Sequence, residues 1–231
     1  MIKFEKLEEK FQIKIKNKNL WLEALTHKSW LFFHPDKNLR HNERLEFFGD
    51  AVIELVISWY LWQHYQDKEE GDLTLIRSEL VSRDHLGAIA ENLGLANFVL
   101  VGKNVKDKGL KTVLGNSLEA IAGAFFIDQG LEKAKEFIET NFLIDLNKII
   151  ETGLYKDPKS TLQEIFQEKF EDKPIYQIIE ESGPAHQKKF KAGVFYKNQL
   201  LSKAEGESKQ EAEEKAALKI LTEQTWKKII K

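Results

Sequence analysis

His41-Asn-Glu-Arg-Leu-Glu-Phe-Phe-Gly-Asp50-Ala-Val-Ile-Glu-Leu-Val56 decides the reading of this chain. Glu43, Glu46 and Asp50 stand at i, i+3 and i+7. At 3.6 residues per turn they share one helix face, within an arc of roughly 60°. The rest of the segment is apolar nearly all round, the pattern of a buried helix. Carboxylates along one stripe of a buried helix repel each other and are costly to desolvate. Arg44 points away from the stripe. A divalent cation would neutralise it, and Mg²⁺ is a hard ion that takes carboxylate oxygens. A polar edge on a domain groove is the alternative, because Glu54 and Ser58 continue the same stripe. Pattern alone leaves both open.

Outward from this helix, apolar spacing predicts further helices near 3–12, 18–30, 70–82, 84–93, 111–128 and 130–150. In the last but one, Asn116 and Glu119 sit at i and i+3. Gly115 and Ala120 beside them are small enough for close helix packing. Glu70-Gly71-Asp72 opens another helix, where acids are ordinary caps. Gly102 to Gly109 reads as a loop. The pattern changes at Lys156-Asp157-Pro158. One amphipathic helix, Lys159 to Phe170, precedes three strand-like runs, Ile175–Glu180, Lys189–Tyr196 and Gln199–Ala204. A last helix runs from Ser208 to Leu221.

The 231 residues are 42% hydrophobic and carry 35 basic against 37 acidic side chains, a net charge of −2. That balance excludes a disordered polyelectrolyte. Taken alone it also argues against a nucleic-acid binder. Residues 1–155 sum to −4 and hold every arginine, whereas residues 156–231 sum to +2. With no cysteine, disulfides, thiolate nucleophiles and cysteine-ligated zinc are excluded. The six histidines are scattered. No phosphate-binding glycine loop appears, so no nucleotide cofactor is expected. Residues 1–16 lack the apolar core of a secretion signal. Phe47 to Trp62 is 16 residues long and carries Asp50 and Glu54, too short and too acidic for a membrane span. A soluble, cytoplasmic protein with no membrane partner is the expectation.

Asn42-Glu-Arg-Leu-Glu-Phe-Phe-Gly-Asp50 is very similar to the signature of the ribonuclease III family. Glu70-Gly71-Asp72, Leu114-Gly-Asn-Ser-Leu-Glu-Ala120 and Leu25-Thr-His-Lys-Ser29 resemble further motifs of that family, in order. The resemblance spans essentially the whole chain. It implies an all-α endonuclease domain over residues 1–152 that forms a homodimer. A linker at 153–157, a small α-β-β-β-α double-stranded RNA-binding domain at 158–224 and a basic tail at 225–231 would follow. It further implies Mg²⁺-dependent cleavage of double-stranded RNA, with Mn²⁺ as a substitute, to 5′-phosphate and 3′-hydroxyl ends. Processing of ribosomal and messenger precursors would be its use. On this resemblance Glu46, Asp50, Asn116 and Glu119 are the metal ligands, with Glu43 and Glu70 as further acids of the catalytic valley. Phe47 falls where an aromatic plugs into the partner subunit, although plain core would explain it equally. Asn116 departs from the family, which often has Asp there. An amide oxygen can still ligate a hard cation but brings no charge. A non-catalytic double-stranded RNA-binding protein is the alternative this departure raises.

Residues 157–224 resemble a double-stranded RNA-binding domain through Asp157-Pro-Lys-Ser-Thr-Leu-Gln-Glu164, Gly183-Pro-Ala-His186 and Gly206-Glu-Ser-Lys-Gln-Glu-Ala212. Such domains read the shape of an A-form duplex across two minor grooves. By position, Ser160, Gln163, Glu164 and Gln167 would meet one minor groove and His186 the other. Lys209 would meet the phosphates between them. Gln210 stands where a second cation is usual, so the phosphate clamp is expected to be weak.

Overall fold

A computed structural model describes residues 2–228 apart from 36, 38, 154, 156 and 185–187. The chain divides into two compact units, residues 1–146 and 147–231. The first is helical: α1 (Phe4–Phe11), α2 (Lys18–Ala24), α3 (Lys28–Phe32), α4 (Glu43–His64), α5 (Glu70–Leu80), α6 (Arg83–Asn92), α7 (Asp107–Gln129) and α8 (Leu131–Phe142). A ninth helix, α9 (Leu146–Thr152), begins at the division.

α4 and α7 form the axis of the first unit. α4 buries Leu45, Gly49, Val52, Ile53, Val56, Ile57 and Leu61, one stripe at helical spacing. α7 answers with Val113, Leu114, Leu118, Ile121 and Phe125. The crossing is at backbone distance. A Cβ on Gly49 would stand 1.8 Å from the Glu119 carbonyl oxygen, and one on Gly123 would stand 2.8 Å from that of Leu45. Gly115 plays the same part more loosely, against Gly87 and Leu86 of α6. Buried Asn42 ties the start of α4 to its neighbours. Its backbone N–H donates to Thr26 O (2.9 Å), and its Nδ2 donates to Ser117 Oγ of α7 (3.2 Å). By length and composition, Gly109–Gln129 could cross a membrane, yet it packs among α2, α4, α6 and α8.

An aromatic cluster joins the N-terminal segment to the far end of α7. Phe11, Trp21, Phe125 and Phe137 meet at centroid distances of 4.3–6.3 Å. Asp128 fastens it, accepting hydrogen bonds from the backbone of Lys16 (3.1 Å) and Asn17 (2.9 Å) and from Trp21 Nε1 (3.0 Å). Burial alone would raise the pKa of this carboxyl. The converging donors win and hold it below the usual range.

Three expected boundaries move. The helix expected over 18–30 breaks at Thr26, whose backbone bridges to Leu100 while its carbonyl takes the Asn42 N–H. His27 then caps α3 by accepting from Ser29 N. The helix expected over 130–150 breaks after Phe142, and the loop expected up to Gly109 ends early, because α7 begins at Asp107.

The second unit contains α10 (Pro158–Phe170), β1 (Ile175–Ser182), β2 (Lys189–Tyr196), β3 (Gln199–Gly206) and α11 (Lys209–Glu223). The strands form an antiparallel sheet in the order β1-β2-β3. Asp157 caps α10 by accepting from Ser160 N (2.8 Å), with Pro158 at the first helical position. Lys197 and Asn198 both have positive φ, as the two-residue β2–β3 hairpin requires. Leu162, Phe166, Val194, Tyr196, Ala216, Ala217, Ile220 and Leu221 form the core. β1 and β3 each run two residues beyond the expected ends, which brings Glu181 into the sheet.

Candidate functional site

The glycine crossing sets the site. Asp50 follows Gly49 on α4, and the backbone that Gly49 touches on α7 is that of Glu119. Glu46 lies one turn earlier on α4 and Asn116 one turn earlier on α7. Asn116 Nδ2 donates to Glu46 Oε1 across the crossing at 2.7 Å. Glu46, Asp50, Asn116 and Glu119 are thus brought together by two helices that cannot slide apart without losing the core.

The electrostatics match this crowding. Burial, then repulsion from Asp50 and Glu46, pushes the Glu119 carboxyl up to about 8, and Arg83 only partly opposes it. Burial, followed by Glu43 and Asp50, also raises Glu46. Glu43, at the mouth of the stripe, goes the other way. Lys28 Nζ lies 2.7 Å from its Oε1, and this hydrogen bond holds its carboxyl below the ordinary value. His41 Nδ1 is 3.6 Å from the other Glu43 oxygen. Burial lowers the pKa of nearby His27, and Lys28 lowers it further. Among the described residues, no group of three or more His, Asp or Glu side chains forms a ready-made metal cage. The donor set nevertheless suits a hard divalent ion: carboxylate and amide oxygens, with negative charge crowded beyond what the protein itself neutralises.

Glu70 is not brought to this group. It starts α5, accepts from Thr74 Oγ1 (3.1 Å), and lines a groove with Leu55, Ser58, Trp59, Trp62 and Arg77. Ser58 is no part of an acidic edge either, since its hydroxyl accepts from Arg77 (2.9 Å). The expectation that α4 is buried nearly all round is corrected. Phe47 is 82% exposed, and Leu55, Trp59 and Trp62 on the same side are exposed too. Phe47 is therefore not core within one chain. Lys28 and Arg83, the cations that face these acids, were not singled out by spacing. Lys28 carried a signal only as part of the Leu25–Ser29 motif, and Arg83 carried none.

On the second unit, Ser160, Gln163, Glu164 and Gln167 are all exposed along one face of α10 and line a shallow groove with Glu168. Lys209 is the first residue of α11. Ser208 Oγ accepts from Glu211 N, and the Glu211 carboxylate accepts from Glu207 N, so the start of this helix is capped by its own side chains. Gln210 bonds to Glu214 (2.8 Å). His186 lies outside the described residues.

Comparisons with known proteins agree with this division. Residues 17–146 match the family model described as Ribonuclease-III-like, and residues 158–224 match the double-stranded RNA binding motif. A Ribonuclease 3 of Syntrophomonas wolfei is 45% identical over 219 residues, covering 93% of this chain and 92% of the relative. One from Carboxydothermus hydrogenoformans is 41% identical over 218 residues, covering 93% of each. The solved nuclease domain of ribonuclease III from Campylobacter jejuni superposes with a TM-score of 0.53 at 40% identity, over 62% of this chain and all of that one. Fold and site together define a helical nuclease unit followed by a duplex-RNA-binding module. The chain belongs to the ribonuclease III family.

Proposed function

We propose that this protein is an endoribonuclease specific for double-stranded RNA, hydrolysing phosphodiesters with the help of Mg²⁺ and leaving 5′-phosphate and 3′-hydroxyl ends. The observation that carries the reading is the crowding of Glu46, Asp50 and Glu119 at the α4–α7 crossing, in a chain of this family. Glu46, Asp50 and Glu119 would hold the metal, with Mn²⁺ as a substitute, and the Asn116 oxygen would complete the set. A bound divalent ion supplies an activated water, neutralises phosphate charge and stabilises the leaving oxygen. Asn116 donates its N–H group to Glu46, and as a ligand it would offer its amide oxygen instead. Burial, Asp50 and Glu46 push the Glu119 carboxyl up to about 8, so a cation held there would compete with its proton. Lys28 neutralises Glu43 at the mouth. In the second module the polar face of α10 meets 2′-hydroxyls in a minor groove, His186 meets the other minor groove and Lys209 meets phosphate. Ribosomal and messenger precursors in the cytoplasm are the substrates this reading favours.

The test is incubation of long duplex RNA with Mg²⁺ or with EDTA. Short 5′-phosphorylated products that need Mg²⁺ support the enzyme. Binding without cleavage, in Mg²⁺ and in Mn²⁺, supports a non-catalytic duplex-RNA-binding protein, the reading that the uncharged Asn116 favours. Asn116→Asp separates tuning from silencing. It removes a hydrogen bond and adds a charge beside Glu46, so the metal-free protein is expected to lose about 1–2 kcal/mol. The Mg²⁺ concentration for half-maximal cleavage should fall. Equal metal dependence in the two proteins would remove Asn116 from the metal site.

The same reading includes a homodimer. Phe47, Leu55, Trp59 and Trp62 fall within an arc of about 120° on α4, and Trp59 stacks on Trp62 at 5.5 Å. An apolar strip of that kind marks a partner surface, and a second copy of this chain is the occupant we favour. Glu70, which lines the same groove, would then stand beside the partner. Phe47→Ala is expected to raise the dimer dissociation constant roughly 10–100-fold, read by light scattering across a dilution series. A dimer unchanged by it would leave Phe47 outside the contact.

A further inference from the structure

We propose that Glu181 is a built-in competitor of RNA phosphate: its carboxylate occupies the ammonium groups of Lys188 and Lys209, and duplex RNA must displace it to be held at the start of α11. This rests on the reading that the second module takes duplex RNA.

The cluster is assembled by sheet register. Glu181 on β1 pairs with Phe190 on β2, and Phe190 pairs with Gly206 on β3. Gly206 is pressed against α11, where a Cβ would stand 2.5 Å from Ala212 N. With no side chain in between, the first turn of α11 lies close against the end of β3. Lys209 from that turn reaches Glu181, its Nζ 3.1 Å from Oε1. Lys188, just before β2, pairs with Oε2 of the same carboxylate. Both ammonium groups also lie over the Phe190 ring, at 5.3 Å and 5.7 Å from its centroid. One carboxylate therefore serves two cations, one on each oxygen. Those hydrogen bonds, Lys188 first and Lys209 next, hold the Glu181 carboxyl below its ordinary value.

The cluster carries a net positive charge, so it still attracts an anion. Lys188, Lys209 and Glu181 keep 46%, 60% and 35% of their side-chain surface exposed, which leaves the pair open to exchange. When RNA arrives, each lysine trades one oxyanion for another, and most of the Coulomb gain cancels. Phosphate contacts are blind to the distinction between RNA and DNA, whereas 2′-hydroxyl contacts are not. By cancelling part of the phosphate term, Glu181 leaves discrimination to the α10 face with Ser160, Gln163 and Gln167. It is a specificity-determining residue that touches no base or sugar.

The experiment uses the full chain in EDTA with a labelled duplex of about 20 base pairs, long enough for one module. RNA and DNA versions are compared over a salt series. Glu181→Gln is expected to tighten RNA binding about two- to five-fold at low salt, steepen the salt slope by about one, and reduce the preference for RNA over DNA. Glu223→Gln, at the far end of α11, controls for net charge and should change affinity less. In a Lys188→Ala/Lys209→Ala background the gain from Glu181→Gln should vanish. Wild-type protein that binds RNA while Glu181→Gln binds equally or more weakly overturns the proposal, because the carboxylate then orders the lysines rather than competing for them. Wild-type protein that fails to bind duplex RNA even at low salt overturns the duplex-binding reading itself, and the proposal with it.

Discussion

Glu119→Gln should abolish cleavage and at the same time stabilise the metal-free protein. Loss of a single hydrogen-bond donor to developing charge already costs about 10²–10³-fold in rate, and here a proposed metal ligand is removed. The stability effect has the opposite sign because Glu119 is held against its own preference. Its carboxyl is raised from 4.5 to about 8 by burial and by Asp50 and Glu46. A carboxyl raised on folding contributes stability that is fully present below its unfolded value of 4.5. That contribution is lost as pH climbs through the folded value near 8. Glutamine is neutral throughout. The advantage of the variant should therefore be small near about pH 5 and largest near about pH 9, in melts run with EDTA. Saturating Mg²⁺ should shrink or reverse it, since the wild-type protein alone then gains the full ligand set. A variant that still cleaves, or that is less stable than wild type at the alkaline end, would sink the assignment.

Gly49→Ala should be the most damaging single methyl group in the first unit. The new Cβ would stand 1.8 Å from the Glu119 carbonyl oxygen, 2.6 Å from its carbon and 2.9 Å from Gly123 N. All three are backbone atoms, so no rotamer change relieves the clash and α4 must move off α7. Overpacking of a tight core costs about 1–3 kcal/mol where side chains can yield, and more where they cannot. We expect a loss of at least about 3 kcal/mol, with cleavage lost even in whatever fraction stays folded, because Asp50 and Glu119 would separate. The second module should melt as before. Gly71→Ala is the control: nothing lies within 4 Å of its Cβ, and alanine is the better helix former. Equal stability of Gly49→Ala and wild type in denaturant melts would refute the close crossing.

The core stripe of α4 was legible because burial there follows helical spacing from Leu45 to Leu61. The convergence of Asp50 and Glu119 was legible only as motifs in order. What joins them, Gly49 against the Glu119 carbonyl, is a contact between positions 70 apart that spacing does not reveal. The exposure of Leu55, Trp59 and Trp62 was not legible, because an apolar side chain reads the same in sequence whether its helix face is covered or bare. For Phe47 the sequence left a partner contact and plain core equally open, and its exposure removes the second. The break at Thr26 was invisible because it depends on hydrogen bonds from Asn42 and to Leu100, not on local propensity. The double pairing of Glu181 was missed because the expected strand stopped one residue short of it.

The Asp128 clamp bears on where the nuclease unit can be cut. The matched family region starts at residue 17, yet Leu7 and Ile15 are buried and Phe11 packs edge-on against Phe125 and Phe137. A fragment trimmed to residues 17–146 would lay bare the ring faces of Trp21 and Phe125 and take one of the backbone donors from Asp128. Phe125 and Asp128 sit on the same α7 that carries Asn116 and Glu119 about two to three turns earlier. Leu7, Phe11 and Ile15 are thus part of the hydrophobic foundation of α7, and a minimal nuclease has to include the segment that carries them.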